Sequence, residues 1–396
     1  MNNQEIKLSL PNGFLLGAAS SAHQVEGNNK NSDWWMYEEM GKLPKSGKAC
    51  DHYNRFEEDF ALAKQIGLNA MRISIEWSRI EPAEGKWSVS ELEHYKKVLR
   101  KLKDLGMTRM VTLHHFTLPR WLADRGGMAT REGAAAFGRF AWFLAQNLKS
   151  EVDLWVTINE PEIYAGMGYR FGIWPPFKKS LPGFLKVIGN LIRAHKAAYR
   201  AIKEVNPDAK VGVAKNSVYM EPYRNKWTDK QAVKIANFFA NHYFFEKIRK
   251  QLDFIGLNYY FYERLRLDLK SGFQRVKPSE EEARSDMGWR THPEGIYYLL
   301  RALRKYNKPV YVTENGIANA SDDMRKRFIA EHLYWAKKAI DFGVDVRGYF
   351  YWSLTDTYEW HDGFGPKFGL VEVDFETQER RVRESARVFK EITVNF

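Results

Sequence analysis

At 396 residues, with 44% hydrophobic and 28% charged side chains, the chain is long enough for two or three average domains or for one large α/β barrel with insertions. Its net charge of +12 comes from pairs and triplets of basic residues (Lys96-Lys97, Arg325-Lys326-Arg327, Lys337-Lys338, Arg380-Arg381) mixed with Glu and Asp in amphipathic patterns, which argues for solvated helix faces and against a nucleic-acid partner. Cys50, the only cysteine, rules out an intrachain disulfide; residues 1–10 lack a basic-then-apolar leader and no apolar run reaches membrane length, so the expectation is a cytoplasmic protein with no membrane partner.

From the N-terminus onward, apolar strand-like runs alternate with amphipathic helical patterns. The predicted strands are 14–18, 70–75, 109–114, 154–159, 210–214, 254–258, 310–313 and 348–352. Between them fall helices at 53–66, 89–105, 131–148, 182–205, 229–250, 293–306 and 322–342, and a last helix at 383–392 closes the chain. Eight strands in regular alternation predict a (β/α)₈ barrel, with all of 1–396 as one catalytic domain. The rival, a doubly wound open sheet, would carry a Gly-rich phosphate turn after its first strand, and none is present. The long irregular stretches, 27–51, 161–181, 259–292 and 355–382, all follow strands. In a barrel such loops gather on the C-terminal face, where active sites sit.

Polar groups recur at the strand ends: Gln24 after strand 1, Arg72 on strand 2, His114-His115 on strand 3, Asn159-Glu160 on strand 4, Asn258-Tyr259-Tyr260 on strand 6, Glu314 on strand 7 and Trp352 on strand 8. Each alone has a bland reading. Arg72 reads as a structural ion-pair partner, and His115 as a satisfied core histidine. His114 and His115 are adjacent and face opposite sides of a strand, so they cannot share a ligand. Two apolar strands that both end in Glu are another matter, because a buried carboxylate is costly unless paired. A pair of them, Glu160 and Glu314, is what glycosidic bond cleavage needs. The 13 Trp fit a site that stacks rings on sugars, although most must be core. No His-Glu-x-x-His or Gly-x-Ser-x-Gly pattern supports a metal or a serine hydrolase. Pro161 is expected to hold Glu160 extended, with the strand ending or distorting so that Asn159 and Glu160 serve one site.

Nine stretches carry a family resemblance: 14–27 (FLLGAASSAHQVEG), 71–79 (MRISIEWSR), 112–119 (TLHHFTLP), 157–161 (TINEP), 254–260 (FIGLNYY), 286–289 (DMGW), 313–316 (TENG), 351–360 (YWSLTDTYEW) and 368–374 (FGLVEVD). In this order, spanning nearly the whole chain, they resemble glycoside hydrolase family 1, whose members are (β/α)₈ barrels that hydrolyse β-glycosides with retention. The resemblance implies an enzyme without cofactor or metal, acting on a small-molecule β-glycoside or oligosaccharide: a glucoside first, a galactoside or fucoside besides. Glu160 would be the acid/base and Glu314 the nucleophile, with Arg72 and Tyr260 positioning Glu314 and keeping it ionised. Asn159 would hold the sugar 2-hydroxyl. Gln24, His115, Glu359 and Trp360 would take the other hydroxyls, with Trp352 beneath the ring and Phe368 near the exocyclic carbon.

The chain departs from the family pattern at Phe116, where many members have Trp, and at Trp174-Pro175-Pro176; both are assigned to the leaving-group side. It is also short between the fifth helix and the sixth strand, which should leave some of Phe238, Phe239, Tyr243, Phe244 and Phe245 less covered. A 6-phospho-β-glycosidase is disfavoured because the Glu359-Trp360 pair is kept, and a non-catalytic sugar-binding relative because both glutamates are. Association into a homo-oligomer is left open.

Overall fold

The computed structural model describes residues 8–268, 272–277 and 282–394. Eight parallel strands close into a barrel in chain order: β1 (Leu15–Ala19), β2 (Ala70–Ser74), β3 (Thr108–His114), β4 (Leu154–Asn159), β5 (Lys210–Asn216), β6 (Phe254–Asn258), β7 (Val310–Asn315) and β8 (Val346–Trp352). The predicted (β/α)₈ barrel is the observed architecture, and the open-sheet alternative is excluded by the closing of β8 onto β1, Gly348 opposite Leu15 through Trp352 opposite Ala19.

Alternation along each strand sorts side chains between two cores. Met110, Val156, Ala214, Phe254 and Phe350 fill the barrel interior, whereas Val111, Trp155, Val213, Ile255 and Tyr349 face the helices. Interior space is tight enough to dictate glycine: a Cβ on Gly212 would lie 2.6 Å from the Phe254 ring, and one on Gly17 2.6 Å from Phe350.

The outer helices include α1 (His52–Ile66), α2 (Val89–Asp104), α3 (Arg131–Leu148), α4 (Leu181–Val205), α5 (Trp227–Asn237), α6 (Glu294–Leu303) and α7 (Arg325–Asp341). In α3 the Thr130 hydroxyl accepts from the Gly133 amide (3.0 Å), a cap of about 1 kcal/mol. The Phe137, Ala141, Leu144 and Leu148 stripe is then buried at helical spacing. In α4 the Ser180 hydroxyl does the same for Gly183 (3.1 Å).

Two predicted helices are corrected. The expected helix 229–250 is instead α5, a wide π-helical stretch Phe238–His242, a short helix Tyr243–Ile248 and a 3₁₀ turn Arg249–Gln251. The expected closing helix 383–392 is a 3₁₀ turn, Glu384–Arg387, followed by one helical turn, Val388–Glu391. Among the described residues no helix is long and apolar enough to cross a membrane.

Candidate active site

Both glutamates reach the C-terminal mouth through a local break in strand geometry. On β7 the register against β6 runs Val312 to Leu257 and then Glu314 to Asn258, so Thr313 is an extra residue and the strand bulges. On β4 the register against β5 slips between Val156 and Asn159, and Glu160 follows with φ 44° and ψ 61°, in the left-handed region. The expected distortion is present, but the extended Glu160 is not. Pro161 opens a short helix, Pro161–Ala165, at its first turn, where a missing N–H costs nothing, and Glu160 makes the corner into it. The corner brings Asn159 and Glu160 to the same hydrogen-bonded cluster.

Glu314 is held from two sides. Arg72 Nη1 donates to its Oε1 (2.5 Å) and the Tyr260 hydroxyl to its Oε2 (2.6 Å). Arg72 is itself fixed by Thr112 Oγ1 (3.0 Å), the Thr313 carbonyl (3.2 Å) and Asn159 Oδ1 (2.7 Å). Arg72 is therefore an ion-pair partner as the bland reading had it, and the partner is Glu314. Burial pushes the Glu314 carboxyl above its ordinary range, while Arg72, Tyr260 and Asn258 pull it back.

Among the described residues Glu160 has no ion-pair partner. Asn258 Nδ2 (2.9 Å) and Asn216 Nδ2 (3.2 Å) donate to its Oε1. Burial, and then the neighbouring Glu314 charge, push it to about 8. Of the two buried carboxyls, only Glu314 carries an arginine.

The remaining predicted residues lie at or behind the same ends of the strands. Asn159 Nδ2 donates to His115 Nε2 (3.1 Å), which leaves the proton of the neutral ring on Nδ1, buried and without a partner among the described residues. Burial, with Arg72 nearby, keeps His115 neutral. His114 points the other way, against Tyr164 and Phe137. Trp352 lies near-parallel to His115 (5.7 Å) and donates through Nε1 to Glu359 Oε1 (3.3 Å). Glu359 also accepts from Thr357, and burial raises its carboxyl to about 7. Phe368 packs with Tyr260 (6.3 Å) and Trp289 (6.1 Å). Gln24 is fully buried, its amide donating to the Tyr358 carbonyl (2.8 Å) and accepting from Ser21 (2.7 Å).

Phe116 and Trp174 touch each other (4.9 Å), and both touch Trp360 (5.2 and 5.8 Å). The structure therefore joins them to a ring assigned to the sugar rather than setting them apart. Trp360 is backed in turn by His23, near-parallel at 5.8 Å. His23 Nε2 meets Glu38 (3.0 Å) and its Nδ1 meets Asn29 (3.0 Å).

Sequence reasoning assigned no role to Asn258, Thr313 or Asn216. Asn216 has a findable signal, since strand 5 is the one predicted strand without a polar end. The predicted strand stopped at residue 214, two short of it.

The family model described as glycosyl hydrolase family 1 matches residues 6–249 and 245–395. The two segments meet where the chain was expected to be shortened. Beta-glucosidase A of Thermotoga maritima is 33% identical, over 97% of this chain and 98% of that protein. A beta-glycosidase from Pyrococcus horikoshii superposes with a TM-score of 0.93 at 41% identity, covering 98% of this chain and 95% of that one. The beta-glucosidase from Thermotoga maritima in complex with glucoimidazole superposes with a TM-score of 0.92 at 33% identity, covering 98% and 99%.

Proposed function

The chain belongs to glycosyl hydrolase family 1 as a retaining β-glycosidase of the β-glucosidase type, and from that premise we propose that Glu314 is its nucleophile and Glu160 its acid/base. The observation that supports this division is the asymmetry of the buried pair. Arg72 and Tyr260 sit on Glu314, so of the two it releases its proton first. Glu160, with amide donors only, keeps its proton to about pH 8.

A β-glycoside then reacts in two displacements. Glu314 attacks the anomeric carbon while Glu160 gives its proton to the leaving oxygen. Glycosylation removes the Glu314 charge, which lowers the Glu160 pKa, and Glu160 takes a proton from the water that releases the sugar. Asn159, anchored by Arg72 and Asn258, is placed to hold the 2-hydroxyl. His115 offers its Nδ1–H, and Trp352, Glu359, Trp360, Gln24 and Phe368 complete the sugar site. Asn216, half-buried at the end of β5, donates to Glu160, and Phe116 and Trp174 extend the aromatic wall from Trp360 toward the leaving group. The substrate class is a terminal non-reducing β-D-glucoside, then a galactoside or fucoside, handled by the chain as one catalytic unit in the cytoplasm.

Replacing Glu314 by Gly removes the nucleophile and abolishes hydrolysis. Azide then partly restores turnover by attacking from the vacated side, and the product is the inverted α-glycosyl azide. Recovery of the β-azide from this variant overturns the assignment. A panel of nitrophenyl glycosides, with and without a 6-phosphate, ranks the sugars.

A further inference from the structure

Side chains from neighbouring strands converge on one oxygen of Glu160. Asn258, last on β6, and Asn216, last on β5, both donate through Nδ2 to Oε1, and Oε2 receives neither. The orientation of the Asn258 amide is set from behind. Its Oδ1 accepts from the Thr313 hydroxyl (2.7 Å), and Thr313 is the extra residue that the β7 bulge turns inward over Gly256. A flipped Asn258 would set its carbonyl against both Glu160 Oε1 and Asn159 Oδ1, two acceptors that its Nδ2 now serves.

An oxygen that accepts two amide hydrogens is the poorer place for a proton. We infer that Asn216 and the Thr313–Asn258 pair are positioning residues that reserve Glu160 Oε1 as an acceptor, so that the catalytic proton travels on Oε2. In the first step the Oε2–H proton passes to the leaving oxygen as the glycosidic bond breaks and the Glu314 ester forms. In the second, Oε2 takes a proton from water as the water oxygen bonds the anomeric carbon and the ester breaks. The inference rests on Glu160 being the acid/base.

The same donors favour the carboxylate over the acid. The other groups facing Glu160 are Glu314 from β7, which raises its pKa, Arg72 from β2, which lowers it, and the neutral Tyr260 hydroxyl after β6. Losing an amide donor therefore moves the Glu160 titration upward in both steps.

The test is the pH dependence of the full chain on nitrophenyl glycosides. Asn216→Ala should move the alkaline limb of kcat/KM, and the acid limb of deglycosylation, up together by about half a pH unit to one unit. Thr313→Val should move them the same way by loosening the hold on the Asn258 amide, and Thr313→Ser should restore the original limbs. Lowered rates with unmoved limbs in both variants overturn the inference. If Thr313→Val does not fold, Asn216→Ala, at a half-buried strand end, decides alone. Glu160→Ala run alongside separates the two levels: without its leaving-group signature the acid/base assignment itself is wrong, and with it unmoved limbs sink only the proton placement.

Discussion

Two glutamates start from the same intrinsic acidity and are driven apart by what lies within hydrogen-bond reach of each. Glu314 takes Arg72 at 2.5 Å; Glu160 takes two neutral amides and the repulsion of Glu314. Because glycosylation needs Glu160 protonated, kcat/KM should fall as pH rises through about 8, the value to which burial raises it. Glu160→Ala should abolish that alkaline limb. It should leave fast glycosylation with activated leaving groups but slow deglycosylation, since the base for water is gone, so stopped-flow traces show a nitrophenol burst before a slow steady state. First-step losses equal for activated and unactivated substrates would put the acid assignment in doubt. At this scale the sequence was informative about identity and weak on geometry. Glu160 and Glu314 stand out as carboxylates ending apolar strands. The left-handed Glu160 and the role of Thr313 depend on strand register, a long-range property that local patterns do not encode.

At the scale of elements, the fifth helix is where the local reading failed. Apolar periodicity ran unbroken through Phe238-Phe239 and Phe244-Phe245, so one helix was expected. The chain instead widens into a π-helical stretch, held from the barrel side by Lys215, whose buried amine donates to the Ala240 carbonyl and pairs with Glu162 (2.9 Å). Asn241 adds a two-way pairing with the backbone of Val218 (3.0 and 2.8 Å). Neither Lys215 nor Asn241 announces this in sequence, where both read as ordinary polar residues. In this stretch Phe244 and Phe245 are fully buried, whereas Phe238 and Phe239 are 42% and 59% exposed. Each exposed ring forgoes part of the roughly 2 kcal/mol that full burial would contribute. Turnover should be ordinary, because this element packs on the outside of the barrel. Hydrogen exchange in residues 236–258 should be faster than in α3 or α4, and protection equal to those helices sinks the idea.

For the molecule as a whole, the barrel concentrates carboxyls in a water-poor mouth, and that concentration has a pH-dependent cost. Glu160 and Glu359 are raised by burial to about 8 and about 7. A carboxyl whose pKa is raised on folding binds its proton more tightly in the native chain than in the unfolded one. Its contribution is complete below the unfolded value, about 4.3, and is lost as pH climbs through the folded value. For these two groups the window therefore runs from about pH 4.5 to about pH 8, and stability falls across it. Glu160→Gln removes one titration while its side-chain oxygen can still accept from Asn258. Its Tm relative to the parent should rise steadily between pH 5 and pH 9, ending above the parent at the alkaline end although the variant is a poor catalyst. A Tm difference that stays constant across that range would mean that Glu160 is not held protonated by the fold, and the asymmetry assigned to the catalytic pair would lose its physical basis.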